Sequence, residues 1–155
     1  MVRKLAILVI VLGLIAIVLG GVFIAQGVAK NNLVVNRMNV EKVTLALDPN
    51  NPTAFTQINN AADAQEAADI IASHRRGIAP TYQDLLGSGR FDPTNPQHLT
   101  YAQAMNLENY LYMAVTAFGL IQVVLASGVF MTVTGVALGA TGVALLGLGR
   151  TSQTS

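Results

Sequence analysis

The 155-residue chain has no cysteine and no tryptophan, and only 11% of its residues are charged. Without thiols it can form no disulfide, thiolate nucleophile, zinc knuckle or acylated-cysteine anchor. Soluble domains carry roughly 25% charged residues, so a charged share this low, with 52% hydrophobic residues, is the composition of a membrane protein. The mean hydropathy of +0.51 agrees. A net charge of +1 argues against nucleic acid as the main partner. Catalytic signatures are missing as well: the chain has no G-x-S-x-G elbow, no H-E-x-x-H and no P-loop. The length admits one small domain with a few membrane crossings, and excludes a multidomain enzyme.

What charge there is, is segregated. Residues 5–29 form a run of 25 without charge and residues 109–149 a run of 41. Both exceed the roughly 20 apolar residues that cross a hydrocarbon core. Residues 30–109 hold all eight acids and six of the nine basic residues; Arg3, Lys4 and Arg150 lie in the short tails. Basic residues in short flanks stay cytoplasmic, whereas segments longer than about 60 residues translocate largely regardless of charge. The expectation is therefore an integral cell-membrane protein with cytoplasmic tails (1–4 and 150–155) and the middle segment outside. Gly27-Val28-Ala29 would serve as a cleavage site, but 25 apolar residues exceed the usual 7 to 15 of a signal peptide, and the first run is read as a retained span. With no charged residue inside either run, proton relays, ion paths and voltage sensing lack their usual groups.

The second run is too long for one crossing. As a helix its 41 residues reach about 61 Å, twice the hydrocarbon thickness. It either folds back on itself near Ser127-Gly128 or continues out of the membrane. Glycine spacing favours the second. Gly13, Gly20 and Gly27 recur every seven residues, as do Gly128, Gly135, Gly142 and Gly149. Glycine weakens a helix, and a repeat on one face asks for close backbone contact, the chief means by which helices associate in lipid. Read in opposite directions the stripes match Gly13 with Gly142, Gly20 with Gly135 and Gly27 with Gly128, with Ala6 against Gly149. This register sets the first span at 5–29, its helix continuing outward to about 45, and the second at about 125–149 within a helix over 100–149. Residues 110–124 then project outside beside residues 31–45, where Leu111, Val115, Phe118 and Ile121 would form an external core next to the apolar positions Leu33, Val34, Met38, Val40, Val43 and Leu47.

Residues 46–99 read as an external helical cap. Prolines mark turns at 48–53 and 92–97. Residues 61–74 read as an alanine-rich helix that stops at Gly77, with His74, Arg75 and Arg76 in its last turn, where cations suit the dipole. Pro80 to Leu86 reads as short turns before Gly87-Ser88-Gly89. No strand pattern of any length is visible. The fold class expected is an all-α membrane protein: an antiparallel pair of long transmembrane helices with a small external helical domain.

The stretch Asp69-Ile70-Ile71-x-x-His74, then Thr81-Tyr82-x-Asp84-Leu85, an Asp-Pro turn, and a long helix with Ala114-Val115-x-Ala117-Phe118-Gly119 resembles a family of small two-span bacterial membrane proteins of unknown function. Its members often carry the label of an aromatic ring-opening dioxygenase. The resemblance implies a bacterial cell-membrane protein. The longer 48–60 turn and Arg75-Arg76 depart from the family pattern. Ring-opening iron sites need two histidines and a carboxylate on converging positions. The only histidines are His74 and His98, and their spacing to Glu66, Asp69 or Glu108 matches no metal motif. His74 reads as a residue at a helix C-terminus and His98 as a turn residue; a metal-dependent enzyme is the third reading.

The first reading is a non-catalytic structural or protein-interaction component, without cofactor, whose partners are the bilayer and either its own copies or another membrane protein. The six glycines Gly13, Gly20, Gly27, Gly128, Gly135 and Gly142 are its helix-packing residues. The second reading is an anion- or ligand-sensing module in the 74–98 region, with Arg75, Arg76 and Arg90 as charge-assisted donors.

Overall fold

The computed structural model describes residues 2–42, 44–46 and 55–151. The chain is almost entirely helical, with α1 (Val2–Val40), α2 (Ala61–Ile78), α3 (Tyr82–Leu86) and α4 (Pro96–Thr151). One short ladder interrupts the helices: β1 (Thr44–Ala46) and β2 (Phe55–Gln57) pair antiparallel with Thr44 opposite Gln57 and Ala46 opposite Phe55. The proline turn expected at 48–53 falls outside the described residues.

Each element begins or ends for a local reason. α1 stops at Val40 rather than near 45, because Lys42 adopts a left-handed conformation (φ 53°) and the chain turns into β1. α2 is capped by Asn60, whose side chain accepts hydrogen bonds from the Ala62 and Asp63 amides, while the Asp63 carboxylate reaches back to the Asn59 amide. It runs through Gly77 to Ile78. Pro80, not Gly77, ends it: the residue before a proline is driven out of the helical region, and Ala79 is extended at φ −153°, ψ 140°. α3 opens on Thr81, which caps the Asp84 amide, and closes at Gly87 with φ 56°. α4 starts at Pro96, a few residues before Thr100, as the sequence allows. Asn95 accepts from the Gln97 amide, and a proline suits the first helical position, where no N–H partner is needed.

The run over 109–149 is one uninterrupted helix and does not fold back. The chain divides into two compact units. One takes the chain up to Asn31 and from Leu120 onward; the other is Asn32–Gly119. Within the second, Leu111, Ala114 and Phe118 of α4 meet Ile58 and the alanine face of α2 (Ala64, Ala67, Ala68). Val34, Val35 and Met38 of α1 pack against this core. Alanine at i, i+3 and i+4 lets α2 lie close, and the aromatic and branched residues of α4 supply the volume. Leu111 and Phe118 are each 2% exposed. Leu111→Ala is therefore expected to destabilise this unit by about 2–5 kcal/mol. Faster amide exchange in α2 of the detergent-solubilised protein is the check, and unchanged exchange would contradict the packing.

Candidate functional site

In the first unit the buried residues of α1 are Ala6, Gly13, Gly20 and Gly27, one every seven residues. On α4 the buried positions at the same interval are Ile121, Gly128, Gly135 and Gly142. All six glycines singled out by spacing lie on this seam. A Cβ on Gly13 would stand 2.7 Å from the Gly135 carbonyl oxygen and 2.9 Å from the Gly139 amide nitrogen. One on Gly20 would stand 2.6 Å from the Gly128 oxygen and 2.8 Å from the Thr132 nitrogen, and would also meet the Thr132 hydroxyl. Gly142 meets Ile10 and the Ala6 carbonyl, and Gly27 meets Leu125. Rising numbers on α1 thus face falling numbers on α4.

The register differs from the one read off the sequence. Gly13 faces Gly135 instead of Gly142, Gly20 faces Gly128 instead of Gly135, and Gly142 faces Ala6: a shift of one heptad. Ile10, Ile17 and Ile24 line the seam in this register. They interleave with the glycines and fill the spaces over Gly142, Gly135 and Gly128, at 2.5, 2.7 and 2.8 Å from a Cβ built there. Thr132 fits beside Gly20 because its hydroxyl folds onto its own helix, donating to the Gly128 carbonyl at 2.9 Å. Not every glycine is in the seam: Gly21, Gly119 and Gly147 have nothing within 4 Å of a Cβ position. Gly20→Ala is expected to cost about 1–3 kcal/mol by forcing backbones apart, while Gly21→Ala costs nothing. Unfolding in mixed micelles with increasing dodecyl sulfate measures both, and equal effects would contradict the seam.

In the second unit the residues proposed as anion donors differ in exposure. Arg75 turns inward. Its Nε donates to Glu108 Oε2 at 2.6 Å, Nη2 to Oε1 at 3.4 Å, and Nη1 to the Tyr101 hydroxyl. The guanidinium lies 5.0 Å from the Tyr101 ring centre, and the Tyr82 ring is tilted against that of Tyr101 at 6.2 Å between centroids. The side chains of Arg75 and Glu108 are 12% and 10% exposed. The hydrogen bond to Glu108 raises the Arg75 pKa above its ordinary value, and desolvation works against it. Arg75 is thereby committed to a charge-neutral staple joining α2 and α4, whereas Arg76 and Arg90 are exposed. Glu108 and Tyr101 have no local motif; their seven-residue separation on α4 is the signal that could have found them.

The histidines have separate surroundings. His74 is exposed on α2. His98 Nδ1 accepts the Asp92 amide at 3.0 Å, and its ring stacks on Phe91 at 5.7 Å, so it pins the turn that leads into α4. Asp92 is itself occupied, accepting from the Thr94 amide and hydroxyl; the hydroxyl is the largest cause of its lowered pKa. Among the described residues no group of three potential metal ligands comes together.

Removing one partner of a buried ion pair strands the other. Arg75→Met should destabilise the Asn32–Gly119 unit by about 3–5 kcal/mol, and Arg75→Met with Glu108→Leu should recover most of it. Thermal unfolding of the two variants in one detergent tests this; a double variant no better than the single would contradict it.

Comparison of the chain with known family models, curated proteins and solved structures finds no match.

Proposed function

We propose that the protein is a non-catalytic integral membrane protein in which α1 and α4 form a close antiparallel hairpin across the bilayer, holding the Asn32–Gly119 unit outside for contact with other proteins. The carrying observation is the pattern of exposure in the long apolar helices. Both are long and apolar enough to cross a membrane. Yet α1 buries only alanine and glycine, while Leu14, Val18 and, on α4, Phe130 are 58%, 65% and 72% exposed. A soluble core helix hides its large residues and leaves small or polar ones outside. The inversion here suits lipid as the solvent, where small residues make the helix contact and large ones face acyl chains.

In the register of Gly20 against Gly128, Lys30 at the outer end of the first span stands level with about residue 118 of α4, so on this reading the second span begins at about residue 120 rather than 125. Leu120 and Val123, exposed at 64% and 63%, then lie within hydrocarbon rather than in water. Arg3, Lys4 and Arg150 flank the inner face, as the positive-inside tendency favours. The bacterial cell membrane as its location follows from the family resemblance. Contact with partners, rather than catalysis, is supported by the commitment of Arg75, Asp92 and His98 to structural bonds.

The chain has no cysteine, so single cysteines report topology directly. In intact cells Ser88→Cys is expected to react with an impermeant maleimide, and Ser152→Cys only after permeabilisation. Extraction of the protein by alkaline carbonate, or equal labelling of the two, would refute the membrane hairpin.

A further inference from the structure

The turn that leads into α4 is closed by a histidine. Asn95 caps α4 by accepting from the Gln97 amide, so Pro96, Gln97 and His98 are its first three helical residues. In a capping box the third of these is a glutamate or glutamine that reaches back to the amide of the capping residue. His98 reaches back further. Its Nδ1 accepts the Asp92 amide at 3.0 Å, with the ring partly buried and stacked on Phe91. The Asp92 carbonyl accepts the Asn95 amide at 3.2 Å, and its carboxylate accepts the Thr94 amide and hydroxyl. Residues 91–95 are thus folded round Asp92, whose amide the imidazole ties to α4.

That tie depends on the protonation of the ring. Nδ1 is an acceptor only in the neutral tautomer with its proton on Nε2; the imidazolium has a donor at both nitrogens and cannot accept the Asp92 N–H. A proton also puts positive charge in the first turn of α4, where the helix dipole is positive and no acidic residue offsets it. The charged group that faces the ring from the turn is the Asp92 carboxylate, which interacts with His98 electrostatically. The Thr94 hydroxyl, as the largest cause, holds the Asp92 pKa below its ordinary value, so this carboxylate stays ionised in the range where imidazoles take a proton. Arg90, two residues before Asp92, is exposed. Further along α4, Tyr101 and Glu108 are both bonded to Arg75 of α2, a pair that cancels its own charge, and Tyr82 of α3 lies against Tyr101. A protonated ring therefore gives up the Asp92 amide and turns toward the Asp92 carboxylate, drawing it from Thr94.

We propose that His98 is an acid-sensitive catch for the segment between α3 and α4. With the ring neutral, the 91–95 turn is held on the first turn of α4; with the ring charged, the turn is released while α2 and the body of α4 stay packed. The segment is suited to open alone, because none of residues 87–98 belongs to the core of Ile58, Leu111 and Phe118. The other histidine has no comparable bond: His74 is exposed on α2. On the topology proposed above the catch lies outside and meets the pH of the surroundings, but its chemistry does not depend on that placement.

The test is hydrogen exchange of backbone amides in the full-length protein in detergent micelles, read by NMR from about pH 7.5 to about pH 5.5, which brackets ordinary imidazole titration. Each rate is referred to that of an unstructured peptide at the same pH. Protection of the Asp92 and Thr94 amides is expected to fall about three- to tenfold, the equilibrium equivalent of one hydrogen bond, in step with the shift of the His98 Nδ1 resonance as it gains its proton. Ala67 and Ala68 of α2 should keep their protection. His98→Gln cannot titrate and should show no acid loss, whether or not its amide oxygen reaches Asp92; His74→Gln should behave as the unaltered chain. Unchanged protection at Asp92 while His98 takes its proton would overturn the catch. So would an acid loss that persists in His98→Gln, or one shared equally by Ala67 and Ala68, which is general unfolding. Micelles impose no sidedness, so failure of the membrane topology in the Ser88→Cys and Ser152→Cys labelling leaves this result standing.

Discussion

Backbone meets backbone along the α1–α4 seam, and the rest of the first unit depends on that approach. The positions where a Cβ would lie under 3 Å from a carbonyl oxygen of the other helix are reciprocal: Gly13 with Gly135, Gly20 with Gly128. Such closeness brings Cα–H groups to carbonyls and many atom pairs into dispersion contact, each weak and together substantial. It also leaves no room for adjustment. Ile10, Ile17 and Ile24 occupy the intervals because glycine vacates them, and Thr132 is accommodated only with its hydroxyl tied to its own helix.

The second unit is held by different means. Its core is an alanine face of α2 under the larger residues of α4, with one buried ion pair closing the polar side. Arg75 between Glu108 and Tyr101 illustrates how a charge is accommodated in a small domain: fork-like hydrogen bonds, an aromatic face beneath, and little water. Desolvating that pair offsets much of its attraction, so its main effect is to fix how α2 sits on α4.

Much of the fold was legible because the strongest signals are periodic. Two apolar runs longer than a bilayer crossing gave the two long helices, and heptad glycines gave the faces that pack. The α4 face carrying Leu111, Phe118 and Ile121 was readable for the same reason. Register was not, since stripes of equal period fit one another at every heptad, and Ile10, Ile17 and Ile24 repeat at the same interval. Local endings were misread where two breakers compete: Gly77 is tolerated inside α2, and Pro80 ends it. The ladder of β1 and β2 has three residues per strand, too short to show alternation. Arg75 was misassigned because a cation at a helix C-terminus has the same sequence appearance whether it meets solvent or a carboxylate 33 residues on.

The difference between the two units extends to their response to temperature. Burial of apolar surface from water carries a large heat-capacity change and weakens on cooling. That applies to the core of Ile58, Leu111 and Phe118, which is assembled from groups that unfolding returns to water. On the membrane placement proposed above, the glycine seam removes almost nothing from water, because unpaired helices would still be surrounded by acyl chains. Its contact is enthalpic, with little heat-capacity signature. Cooling should therefore loosen the Asn32–Gly119 unit before the seam.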